Sequence, residues 1–224
     1  MCLSPEVDLA VGLALTAVTV DSLRHSTHSR TLGMALIPAI FAIHSYASAV
    51  VWLSEMDIVG TGAANLSTWL YLFIAFVLLP IYVPLAVLLI EPMGWRRTAL
   101  FTFAGLGLIS GMESMFYLMN GSGSVVEQNN SLLDFHISGT PTYVGVFYML
   151  ATCGAMFLSA QRILIYWAFL NTAAIAVLML RARNDLPSLW CLWAAATSVF
   201  IAWFLRRLNR DHDQGALWPW EQQG

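Results

Sequence analysis

Lysine is absent from this 224-residue chain, whose ten basic residues are all arginine. Without a lysine amine no retinal Schiff base can form, which excludes the rhodopsin-type use of a helical bundle. Charge of either sign is scarce: charged residues make up 10% of the chain, against roughly 25% in soluble domains. Net charge is −3 and no polybasic segment occurs, which sets nucleic acid aside as a partner. There is no Gly-rich phosphate loop, no His-Glu-x-x-His and no Gly-x-Ser-x-Gly. The opening Met-Cys-Leu-Ser-Pro-Glu has no basic n-region and no small-residue cleavage site follows it, so the first apolar stretch is expected to remain in the mature protein. Cys2 also lacks the upstream apolar stretch that a lipid-anchored cysteine needs.

What the chain has instead is apolar surface, 58% of its residues. A hydrocarbon core of roughly 30 Å takes about 20 helical residues to cross. Windows of that length fall near 5–23, 32–53, 68–90, 98–119, 141–160, 162–181 and 187–205. The expected fold is all-α: a polytopic membrane protein, a seven-transmembrane-helix bundle over 1–208, with a short tail at 209–224. Arginine orients it, because basic residues are retained on the cytoplasmic side of short loops. An outside N-terminus and a cytoplasmic C-terminus put Arg24, Arg30, Arg96, Arg97, Arg162, Arg206, Arg207 and Arg210 inside, and only Arg181 and Arg183 outside. Glu6, Asp8, Glu55, Asp57, Glu127 and Asp134 then fall outside. The expected location is a cell membrane, crossed several times.

Most connections are short. The exceptions, 54–67 and 120–140, both lie outside and are where a lid or ligand mouth belongs. Gly121 to Ser124 reads as a solvated loop, whereas Leu132 to Ile137 is apolar enough to fold back on the bundle. Pro38, Pro80 and Pro84 should kink their spans, and no internal repeat supports a two-halved transporter. Gly107 and Gly111 form a small-xxx-small pair that admits a close helix, either within the chain or from a second copy or membrane partner.

Intramembrane polar residues carry the functional expectations, since an ionised carboxylate at bilayer depth is costly and faces an interior or a cavity. Glu113 shares a helical face with Ser110 and Tyr117; His44 shares one with Ser48; Asn171 lies midway along the sixth span. Together they suggest a polar cavity opening outward, for a small solute, an ion or a proton. His44 could be a proton carrier, a metal ligand or a hydrogen-bonded core residue. Cys2 and Cys191 share the outer face, where a disulfide, a metal pair, a redox couple or two buried thiols are all open readings. His136 and Asp134 lie near them but match no metal-ligand spacing. Cys153 reads as packing, and Asp21 as a partner for Arg24 at the inner interface.

Four segments bear a resemblance. Met1-Cys2-Leu3-Ser4, Val50-Val51-Trp52-Leu53, Tyr148 to Thr152 ending at Ser159, and Trp190-Cys191 with Ala194-Ala195 together resemble a family of small, mostly bacterial integral membrane proteins of unknown function, which typically begin Met-Cys-Phe-Ser. The resemblance implies the seven-span fold in a bacterial inner membrane and draws attention to Cys2 and Cys191. It also implies Gln-Gln and a Glu ahead of the Val-Trp pair, where this chain has His44, Ser45 and Ser48. It implies no reaction or cofactor. The leading expectation is therefore a solute- or proton-handling cavity, with an intramembrane redox or metal-dependent enzyme and a non-catalytic partner subunit as alternatives.

Overall fold

The computed structural model describes residues 4–120, 124–129, 132–181, 193 and 195–221. Apart from one hairpin it is helical. In chain order the elements are α1 (Pro5–Arg24), α2 (Leu32–Ala35), α3 (Ile37–Glu55), α4 (Thr61–Leu72), α5 (Leu79–Ile90), α6 (Trp95–Met119), β1 (Ser124–Asn129), β2 (Leu132–Ile137), α7 (Thr142–Met149), α8 (Ala155–Leu158), α9 (Arg162–Arg181) and α10 (Val199–Asp213). Wider π-helical turns, Phe73–Leu78 and Leu150–Gly154, join α4 to α5 and α7 to α8. Three continuous helical stretches are long and apolar enough to cross a membrane: Ser29–Glu55, Thr61–Ile90 and Trp95–Met119. Thr142–Leu158 and Arg162–Leu178 are apolar but shorter.

Two expected boundaries move. The outer segment 54–67 is mostly helix, because α4 begins at Thr61 and leaves only a tight turn through Asp57, whose φ is 58°. A hydropathy window registers apolarity rather than helicity, and Gly62, Asn65 and Ser67 hide these exposed turns from it. At the other end α10 continues to Asp213, beyond the predicted span end at 205. Gly215, at φ 92°, then turns the chain back. Trp218 stacks on His212 at 4.0 Å between ring centroids, and Trp220 lies 4.5 Å from His28, so the tail rests on the connection between α1 and α2.

Helix α1 packs on α3 through one face. Pro5, Asp8, Gly12, Leu15, Thr19 and Ser22 are buried, three and four residues apart, as a helical seam requires. A Cβ at Gly12 would lie 2.5 Å from the Tyr46 ring, so only glycine lets that ring lie flat on α1. The Tyr46 and Thr16 hydroxyls meet at 2.9 Å. At the C-terminal end of α1, Asp21 accepts from Arg206 Nε at 2.8 Å, with Nη2 at 2.6 Å, which ties α1 to α10. The expected local pair with Arg24 gives way because Arg206 presents two donors in a fork that matches the carboxylate.

The path of α5 explains the glycines of α6. Pro84 has no N–H, so the Pro80 carbonyl has no donor four residues on. A Cβ at Gly107 would collide with that carbonyl oxygen, and one at Gly111 would lie 2.8 Å from the Val77 carbonyl oxygen. The Gly107/Gly111 face is thus used inside the chain, where it brings α6 against the proline-freed backbone of α5.

The hairpin pairs β1 with β2 antiparallel, with Val126 opposite Phe135 and Glu127 opposite Asp134. Leu133, Phe135 and Ile137 alternate inward and are buried, the period-two pattern of a strand with one face on a core. Leu132–Ile137 does fold back as expected, as a strand rather than a loop.

Gly107→Ala should destabilise the protein by about 3 kcal/mol, the upper range for overpacking against rigid backbone. Gly105→Ala, which meets open space, should be neutral or slightly stabilising. Thermal unfolding of both variants in the same detergent checks the contrast.

Candidate functional site

A buried polar cluster lies where α1, α3, α4 and the hairpin meet. Asp8 is fully buried, four residues into α1, whose start is fixed by the Ser4 side chain accepting from the Val7 N–H. The Ser48 hydroxyl donates to Asp8 Oδ2 at 2.5 Å. One turn back on the same face of α3 is His44, also fully buried. One turn on is Trp52, whose buried indole N–H has no partner among the described residues. His44 lies against Tyr71 of α4, ring centroids 3.7 Å apart and planes tilted by 32°, and Tyr71 stacks in turn on Phe135 of β2 at 3.8 Å. An aromatic column therefore runs from the hairpin to the His44 imidazole, one helical turn from the serine that holds the buried acid.

A carboxylate removed from water costs several kcal/mol unless donors replace its hydration. Ser48 is one such donor, and His44 lies one turn from it on the same face of α3. Phe135 and Tyr71, with no exposed surface at all, cap the cluster on the hairpin side.

The residues expected to line one cavity take partners on different elements. His44 and Ser48 belong to the cluster just described. Ser110 of α6 donates to the Val144 carbonyl at 3.0 Å. Glu113 is half-buried and hydrogen-bonds Tyr143 of α7, with Tyr117 close by. Asn171 of α9 donates to the Trp167 carbonyl and accepts from Trp193 Nε1 at 3.0 Å. Asn171 also lines a separate cavity of about 50 Å³ with Thr152, Cys153 and Thr197. Cys2 and Cys191 lie outside the described residues. Cys153 is buried and free, as its packing role requires, and the described residues contain no group of three or more potential metal ligands.

The acid at this site is one that sequence reasoning placed in outer solvent. Asp8 sits close to the predicted start of its span, where hydropathy cannot separate an interfacial carboxylate from a buried one. Its seam position, with Gly12, Leu15 and Thr19 following at helical spacing, was the available signal.

A second buried acid also went unread. Glu91 follows α5 directly and is fully buried. It accepts from Ser159 Oγ at 2.9 Å and from the Ala160 N–H at 2.8 Å, clamping the end of α5 to the turn before α9. Burial pushes its carboxyl above the usual range, and the Ala160 and Ser159 donors offset only part of that rise. Among Arg96 and Arg97 it looks, in sequence, like one more interfacial charge.

A profile of the family of unknown function DUF6629 matches residues 1–215. The chain belongs to that family. No curated protein and no solved structure matches it. Membership takes in both buried acids and the hairpin, and brings no assigned activity with it.

Glu91 sets a pH dependence. Its folded pKa lies above its unfolded one, so the folded state holds the proton more tightly. Stability should be greatest below the unfolded value near 4.5 and fall as pH rises through the window up to the folded value. Glu91→Gln should flatten this fall, read as a smaller drop in melting temperature between pH 4.5 and pH 8.

Proposed function

We propose that this family member is a seven-span membrane protein, N-terminus outside and C-terminus cytoplasmic, that binds and releases a proton at Asp8 and His44 beneath the outer hairpin. The observation that carries this reading is the wholly buried Asp8 carboxylate, hydrogen-bonded by Ser48, which itself lies one helical turn from the His44 imidazole. The arginine distribution supports the orientation, and α1, α3, α6 and α9 lie close to four of the predicted spans. In that frame Ser48 lies about 10 Å below the outer end of α3, at 1.5 Å per residue from Glu55.

The chemistry runs through two groups. An ionised Asp8 is held by the Ser48 hydroxyl, and a proton arriving at the carboxylate removes the cost of its burial. His44, one turn from Ser48 on the same face of α3, is the second titratable group of the cluster. Phe135, seated on Tyr71, keeps water off this pair, and movement of the hairpin admits a proton or a small polar solute. Glu113 and Tyr143 form a further polar pair on α6 and α7, available to the same outer mouth.

Infrared difference spectra of the protein in liposomes, taken between pH 8 and pH 5, test this. A carboxyl band should appear on acidification, vanish in Asp8→Asn, and rise faster in Phe135→Ala after a pH jump. A spectrum identical in wild type and Asp8→Asn would end the proposal.

A further inference from the structure

The inner half of the bundle holds a groove that the proton site does not use. A space of about 400 Å³ opens sideways between α9 and α10. Ile163, Tyr166 and Leu170 form one wall, Phe200 and Trp203 the other, with Met34 at its base. Tyr166, Leu170, Phe200 and Trp203 are all exposed, so the groove faces the surroundings rather than the bundle interior. Each wall carries an arginine, Arg162 at the start of α9 and Arg207 beyond Trp203 on α10. Arg162 is the first residue of α9 and is exposed, with no ion-pair partner among the described residues. The Arg207 guanidinium lies over the Trp203 ring, 5.8 Å from its centroid, with Nε 3.6 Å from Asp211.

An apolar trough with cations at one end complements one kind of molecule. We propose that this groove holds an acyl chain of an anionic phospholipid of the inner leaflet, with its phosphate read by Arg162 and Arg207. The proposal rests on the membrane-spanning orientation given above and not on the proton site. A neutral hydrocarbon tail gains little from leaving lipid for an equally apolar groove, so selectivity has to come from the headgroup. Attraction of an anionic headgroup to each arginine corresponds to roughly fivefold in retention.

Native mass spectrometry of the purified full chain, with phosphatidylglycerol or phosphatidylcholine added at equal concentration, reads this directly. Wild type should retain phosphatidylglycerol preferentially. Arg162→Gln with Arg207→Gln, both surface changes that leave packing intact, should remove most of that preference, roughly twentyfold if the two act independently. Leu170→Trp, which fills the trough, should lower retention of both lipids. Equal retention of the two lipids by wild type, or an unchanged preference in the double arginine variant, overturns the proposal. So does a dimer in wild type that Leu170→Trp dissociates, since a second copy would then occupy the groove. Alkaline extraction of membranes separates the premise from the proposal: recovery of the chain in the soluble fraction would remove the orientation itself.

Discussion

Hydrocarbon offers no hydrogen bonds, so every polar group that this chain carries to bilayer depth has to find its partner inside the protein. Much of the architecture follows from that constraint. Hydroxyls turn back on their own helices: Thr16 bonds the Gly12 carbonyl, Thr19 that of Leu15, Ser45 that of Phe41 and Thr152 that of Tyr148. The carbonyl that Pro84 releases on Pro80 is met by α6, which approaches closely because residue 107 is glycine. Proline and glycine on neighbouring helices thus form a matched set. The kink creates a polar need, and the missing Cβ lets the adjacent backbone draw near enough for a Cα–H to face the oxygen.

The same constraint applies more strictly to carboxylates. Among the described residues Asp8 and Glu91 are the two acids with no exposed surface, and they lie at opposite ends of the bundle. Glu91 is surrounded by a backbone N–H and a hydroxyl from one turn, an arrangement that fixes a chain crossing. Asp8 is placed differently. Its hydroxyl donor comes from a helix that also carries an imidazole on the same face, under an aromatic column contributed by two further elements. A purely structural clamp needs neither a titratable neighbour nor a removable cap.

The sequence made the helices legible because their signal is repeated over some twenty residues: α1 and α9 begin and end within a residue of the predicted limits. It made Leu132–Ile137 legible for a similar reason, since alternation of apolar residues survives in a short strand. The first turns of α4 were hidden, because their helicity comes from continuation of an apolar helix rather than from their own composition. The site was less legible still. His44 and Ser48 stood out as polar residues in mid-span, but their partners Asp8, Tyr71 and Phe135 come from three other elements, and nothing in one sequence records which helices adjoin. Glu113 and Asn171 drew notice by the same logic of depth, yet take partners on α7 and beside α9.

The α1–α3 seam gives Ser48 its role. A serine on α3 places no charge of its own. Asp8 brings the carboxylate from α1, and Ser48 supplies the donor a buried carboxylate requires. That bond forms only if the two backbones stay close, and Gly12, one turn along from Asp8, keeps them so by letting Tyr46 lie against α1. The seam residues Gly12, Thr16 and Tyr46 then belong to the site as its positioning elements, because any shift of α1 along α3 would carry the carboxylate away from Ser48 and His44 together.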